Sequence, residues 1–208
     1  MTHTLHRTGN KEDLREDYVM LVMQARGVNR EGAEEKIGQV WEVFSHYETD
    51  LTNFGNMEDG NSHTTNWETL KRATWHMAHA VFKDRETLKA CLNEFKEREL
   101  GISVVVSGNY DDTAKTCSEI GLTPHTVEHS LGVHGKTEKL PDEPIMEITT
   151  MCGHALISPN LIHAMIEEID QGKMTHEKAA IELSTLCDCG IFNPYRAEKV
   201  LRKLTSNA

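Results

Sequence analysis

The stretch Ile102-Ser103-Val104-Val105-Val106-Ser107-Gly108 constrains this chain more than any other. β-branched side chains crowd the turns of a helix but fit a pleated strand. A continuous apolar strand presents no regular polar face to water, so it needs cover above and below. The fold must therefore be layered, with a sheet inside and helices packed on it.

Helical spacing supplies the cover. Asn10 can cap a helix striped by Leu14, Tyr18, Leu21 and Val22, and a second stripe runs through Ile37, Val40, Trp41, Phe44 and Tyr47. Residues 48–66 are too rich in Gly, Asn, Asp and Ser for a regular element and read as a loop. Trp67, Leu70, Thr74, Met77 and Val81 mark a third helix, and Leu88, Cys91, Leu92 and Phe95 a fourth. Beyond the valine run, Ala114, Cys117 and Ile120 give a helix that ends at Gly121. Val127, Leu131 and Val133 then alternate as in a strand, with His125 and His129 on the same side. Strand, helix and strand predict a βαβ unit with parallel strands and a right-handed crossover, and Ile145–Thr149 reads as a further short strand.

The tail is punctuated more sharply. Ser158-Pro159 and Asn193-Pro194 each place a cap before an N1 proline, Gly172 stops the first tail helix, and Thr175 caps the next. The expected class is α+β. A helical region over 1–98 and a small βαβ-containing sheet over 99–148 precede a helical region over 149–208, as one compact domain or two tightly packed ones.

Composition narrows the function. A net charge of -11 on 208 residues argues against neutralising phosphates, so nucleic acid is not an expected partner. No apolar run approaches the ~18–20 residues of a membrane helix, and the N-terminus lacks an apolar leader core. The expectation is a cytoplasmic protein, in which five cysteines would not form a disulfide framework.

Chemistry concentrates in two short pieces, Cys152-Gly153-His154 and Cys187-Asp188-Cys189-Gly190. Both read as loops before helix starts, and a hairpin of the intervening helices would bring them together. Cys152, His154, Cys187 and Cys189 make four ligands, suited to tetrahedral zinc or an iron–sulfur cluster. The Cys-x-Cys spacing is tighter than the knuckle of an ordinary zinc finger and leans toward a cluster. The expected function is a metal-binding protein acting in redox or Lewis-acid chemistry, as an oxidoreductase or lyase, on a small molecule or with a redox partner protein. A site shared between identical subunits would fit the same sequence.

Two other readings stand beside it: a metal-free thiol enzyme using Cys152 with His154, and a structural-zinc module that recruits a partner. His134 in Gly132–Gly135, with Gly108, Asn109 and Asp111, would line a pocket at the carboxyl ends of the two parallel strands, with His134 as a catalytic candidate. Cys91 and Cys117 fall on apolar stripes and read as core. His76 and His79 lie off their stripe, on a face expected to meet solvent. Met151–His154 resembles the motif around one catalytic cysteine of the proline racemase family. The resemblance covers these four residues, the family's second cysteine motif is absent, and no function is carried over from it.

Overall fold

Tyr18–Met23 is apolar at every position and forms the strand through which the sheet is organised, β1. The computed structural model describes residues 2–73 and 75–205. A short helix α1 (Lys11–Leu14), capped by the Asn10 side chain, precedes β1. Then follow α2 (Ala33–Ser45), β2 (Leu51–Asn56), β3 (Gly60–Asn61), α3 (Trp67–Leu70), β4 (Met77–Phe82), α4 (Arg85–Arg98), β5 (Ser103–Ser107) and α5 (Tyr110–Glu119). The tail holds α6 (Glu143–Thr149), α7 (Pro159–Asp170), α8 (His176–Thr185) and α9 (Pro194–Thr205).

The α+β class stands, with helices in both the N-terminal and C-terminal regions. The sheet has the order β3-β2-β4-β1-β5, and every neighbouring pair is antiparallel. Without the small β3, this is the arrangement of a split β–α–β sheet. Side-chain alternation divides its two faces. Tyr18, Met20 and Val22, with Ala78, Ala80 and Phe82, pack on α2 and α4. Val19 and Val81 face the opposite way and join the core of the C-terminal helices.

Several elements differ from the sequence expectation. The stripes read through Tyr18–Val22 and Met77–Val81 belong to strands β1 and β4. A run that is apolar at nearly every position satisfies helical spacing by default, and its burial on both faces decides for a strand. Thr74, part of the stripe read as the third helix, lies outside the described residues. The polar stretch over 48–66 contains the β2–β3 hairpin, turned where Asn56 Oδ1 accepts the backbone N–H groups of Glu58 (2.8 Å) and Asp59 (2.7 Å). The βαβ unit is not formed: β5 runs antiparallel to β1, and residues 123–136 carry no strand. Alternation alone gives a strand no pairing partner, and here Val127, Leu131 and Val133 face solvent, with Leu131 85% exposed. Ile145–Thr149 lies inside α6, begun by Pro144. The tail caps fall as read, with Ser158, Thr175 and Asn193 accepting the N–H groups of Leu161, Lys178 and Arg196.

A buried carboxylate joins the layers. Asp17, directly before β1, accepts Arg7 Nη1 on both oxygens (2.6 and 2.7 Å), Arg196 Nη1 (2.9 Å) and Asn193 Nδ2 (3.1 Å). Arg196 reaches on to Glu147 of α6 (2.9 Å) and to the Thr8 carbonyl. Burial alone would raise the Asp17 carboxyl, but Arg7 and Arg196 outweigh it and hold the group below the usual carboxylate range. Glu147 is shifted the other way: burial pushes its carboxyl up despite Arg196.

Removing the charge of Asp17 would leave two guanidinium groups buried without their main counter-ion. Asp17→Asn is expected to cost about 3–5 kcal/mol of unfolding free energy, read by urea denaturation at neutral pH. Because the folded value is depressed, this contribution is complete above the unfolded value of about 3.9 and is lost as pH falls through the folded one. The acid limb of the pH–stability curve should therefore flatten in the variant; an unchanged midpoint and acid limb would deny Asp17 this role.

Candidate metal and thiol site

The two cysteine pieces come together on the face of the sheet that carries Val19 and Val81. Cys152 follows α6, and Cys187 and Cys189 lie between α8 and α9. All three thiols are buried. Cys187 Sγ is 4.0 Å from Cys189 Sγ, and Cys189 Sγ is 3.6 Å from His154 Nδ1. Cys152 lies near enough to Cys187 for the two thiols to shift each other. Of the four residues, His154 alone lies at the exposed edge.

Each loop is held by identifiable groups. The Arg7 guanidinium donates to the carbonyls of Met151 (3.2 Å) and Ile191, so one side chain ties both cysteine loops while Asp17 holds its other nitrogen. Asn61 Nδ2 donates to the carbonyls of Ser184 (3.2 Å), Thr185 (3.3 Å) and Cys187 (3.1 Å) at the end of α8. Asn53 Nδ2 donates to Ser184 Oγ and the Phe192 carbonyl, both at 2.9 Å. The hairpin whose composition read as a loop is thus the cradle of the Cys187–Cys189 turn. Gly190 closes the turn at φ +73°, and a Cβ there would overlap the Phe54 backbone.

Two further histidines complete the cluster. His79, in the middle of β4, is 0% exposed. Its Nε2 lies 3.3 Å from His3 Nε2, and its Nδ1 lies 3.2 Å from the Gly55 carbonyl. Burial, then His3, pushes His79 down to about 3, so the ring is neutral at ordinary pH. Donation of Nδ1–H to Gly55 leaves Nε2 to accept from His3. His3 is itself pushed down to about 4, by burial and then by His154, on which its ring stacks at 4.8 Å. The His3 backbone lies so close to the Cys-Gly-His turn that a Cβ at Gly153 would overlap its carbonyl.

The thiols form a row of donors and acceptors. Donation to Cys187, then burial, raises the Cys152 thiol. Cys187 gains from Cys152, but its own donation to Cys189 and its burial prevail and push it up to about 12. Cys189 receives the Cys187 hydrogen bond, which lowers its thiol despite burial, so it is the most easily deprotonated of the three.

Among the described residues, no three His, Cys, Asp or Glu side chains already surround one point closely enough to hold an ion. The separations can still be compared with a metal site. Sulfur at ~2.3 Å and nitrogen at ~2.0–2.1 Å from a tetrahedral ion stand roughly 3.8 Å (S–S) and roughly 3.6 Å (S–N) apart. The Cys187–Cys189 and Cys189–His154 separations of 4.0 and 3.6 Å have that scale. Cluster ligands on different irons would stand further apart than ligands sharing one ion.

The other candidates lie elsewhere. Asn109 caps α5, Asp111 is exposed with Lys11 at 3.4 Å, and Gly108 fits against the Tyr18 ring too closely for any Cβ. His134 is exposed and bonds the Leu131 carbonyl. The parallel second strand that would have framed their pocket is not formed, although the two segments do meet, with the Tyr110 ring 4.9 Å from the His129 ring. Cys91 and Cys117 are core residues as expected. His79 is a correction: it lies in a central strand rather than on a solvent face. Arg7, Asp17, His3 and the buried asparagines were missed. The available signal was a histidine inside the apolar run Met77–Phe82, which a strand would bury.

Comparisons with protein-family models, with curated proteins and with solved structures give no match.

Gly190→Ala would require both a left-handed backbone and a Cβ where the Phe54 backbone lies. The expected loss is about 1–3 kcal/mol or more, read as a lower thermal midpoint, with faster reaction of the Cys187 and Cys189 thiols as their turn lifts from the hairpin. Unchanged stability and thiol reactivity would disprove the tight seating.

Proposed function

We propose that the protein binds a single tetrahedral metal ion, zinc by preference, on Cys152, Cys187, Cys189 and His154, and uses it as a Lewis acid toward a small molecule. The observation that carries this reading is the buried Cys189 sulfur, with a second sulfur at 4.0 Å and an imidazole nitrogen at 3.6 Å. Thiolate and imidazole donors suit zinc, and an ion would add to the positive charge that Arg7 already brings near Cys189. Binding would draw the side chains inward and release the thiol protons of the row. The three buried sulfurs are the permanent ligands in this reading. His154, at the exposed edge, would be the ligand nearest to an incoming small molecule, and the ion would supply Lewis-acid chemistry there.

The test is metal and sulfide analysis, with a visible spectrum, of protein prepared without oxygen and without a histidine tag. The expected result is colourless protein with stoichiometric zinc, lost in Cys187→Ser and Cys189→Ser and kept in Cys91→Ser. Full metal retention in both tail variants would sink the site. Brown protein with labile sulfide would replace the single ion with an iron–sulfur cluster and redox chemistry.

A second reading rests on the Cys189–His154 pair itself. Without metal, a lowered thiol beside an imidazole is the arrangement of a thiol nucleophile and its acid–base partner. The nucleophile is then Cys189 rather than Cys152, whose thiol is raised. Metal-free protein treated with iodoacetamide and mapped by mass spectrometry should carry label on Cys189 before Cys152. The reverse order counts against this reading.

A further inference from the structure

We infer that the end of β1 carries a second site, which takes a small organic anion with a flat apolar body. A cavity of about 350 Å³ opens there, lined by Met23, Gln24, Ala25, Arg26, Arg30 and His76. That volume suits a small ligand. Its walls come from two segments held together by the backbone: Gln24 N–H donates to the His76 carbonyl at 3.1 Å, extending the β1–β4 ladder. The turn beyond is shaped by Asn29, whose side chain accepts the Ala25 N–H and donates to Ser103 Oγ at 3.2 Å. Trp75 packs against the His76 ring at 4.2 Å, and its buried indole N–H has no partner among the described residues.

The charge pattern selects the ligand. Every other arginine of the chain pairs with a carboxylate. Arg26 and Arg30 form no ion pair among the described residues, and both border this one cavity, which no acidic side chain lines. In a chain with 33 acidic residues and a net charge of -11, two arginines without ion pairs on one cavity form a local reversal of sign. Guanidinium binds carboxylate, sulfonate or phosphate in a planar fork. Met23, Ala25 and the imidazole face of His76 supply the apolar contact for the rest of the ligand. A larger cavity, about 490 Å³, lies beside α3, but its Arg72 already pairs with Glu68 at 3.7 Å, and Asp59 also lines it.

The test is calorimetric titration of the full chain with 2-naphthoate, with neutral 2-naphthamide and inorganic phosphate as controls. 2-Naphthoate should bind at least about tenfold more tightly than either control. The double variant Arg26→Gln/Arg30→Gln should lose that preference while keeping the wild-type thermal midpoint, since both side chains lie at the surface. The ring protons of His76 should shift on titration in the wild type. No binding of 2-naphthoate, equal binding by the double variant, or equal affinity for the amide would overturn the proposal. Phosphate binding as tight as naphthoate would overturn the apolar half of it.

Discussion

A carboxylate cut off from water is tolerable only when its charge is met by well-placed donors. Asp17 satisfies this with two guanidinium groups and one side-chain amide. The donors come from the N-terminal segment and the start of α9, and each holds something else. Arg7 ties the two cysteine loops, Arg196 ties α9 to α6 and to the N-terminal segment, and Asn193 starts α9. The sheet and the C-terminal helical layer are thus registered through a polar centre as well as through the apolar contacts of Val19 and Val81. Apolar packing alone tolerates sliding; a fully paired charge with fixed donor directions does not.

The site repeats this logic with softer groups. The asparagines of the β2–β3 hairpin satisfy carbonyls at the end of α8, and the N-terminal segment lays His3 over the Cys152–His154 turn. The thiols therefore lie among fixed backbone groups in a layer closed on several sides. An ion entering such a place would meet donors whose loops are already constrained, although the side chains themselves still have to converge.

The sequence was most legible where local chemistry decides structure. Ser158, Thr175 and Asn193 cap because a side-chain oxygen satisfies an exposed helix N–H regardless of what packs nearby. The strand at Ser103–Ser107 could also be read, though it is a half-buried edge strand rather than one covered on both faces, and so could the convergence of the two cysteine pieces. Strands β1 and β4 could not, because a run apolar at almost every position matches either period and only double-sided burial decides. The partner of β5 was misassigned because alternation in residues 125–133 is a statement about one segment, while pairing is a statement about two. The cradle was hardest to read. Asn53 and Asn61 have the composition of a surface turn, and their burial follows from carbonyls that lie 123 to 139 positions away.

The contacts of Arg7 also set an order in time. Its donation to the Ile191 carbonyl spans 184 positions, whereas the turns that carry the cysteines close locally. Contacts of such long separation require most of the chain entropy to be surrendered first, so they form late. In synthesis Arg7 is made well before Ile191 and waits without its partner. On this order, the cysteine loops would be open to water until the N-terminal segment covers them. Any ion they hold is best acquired in that interval, and enclosure by His3 and Arg7 afterwards would make its exchange slow rather than its affinity high.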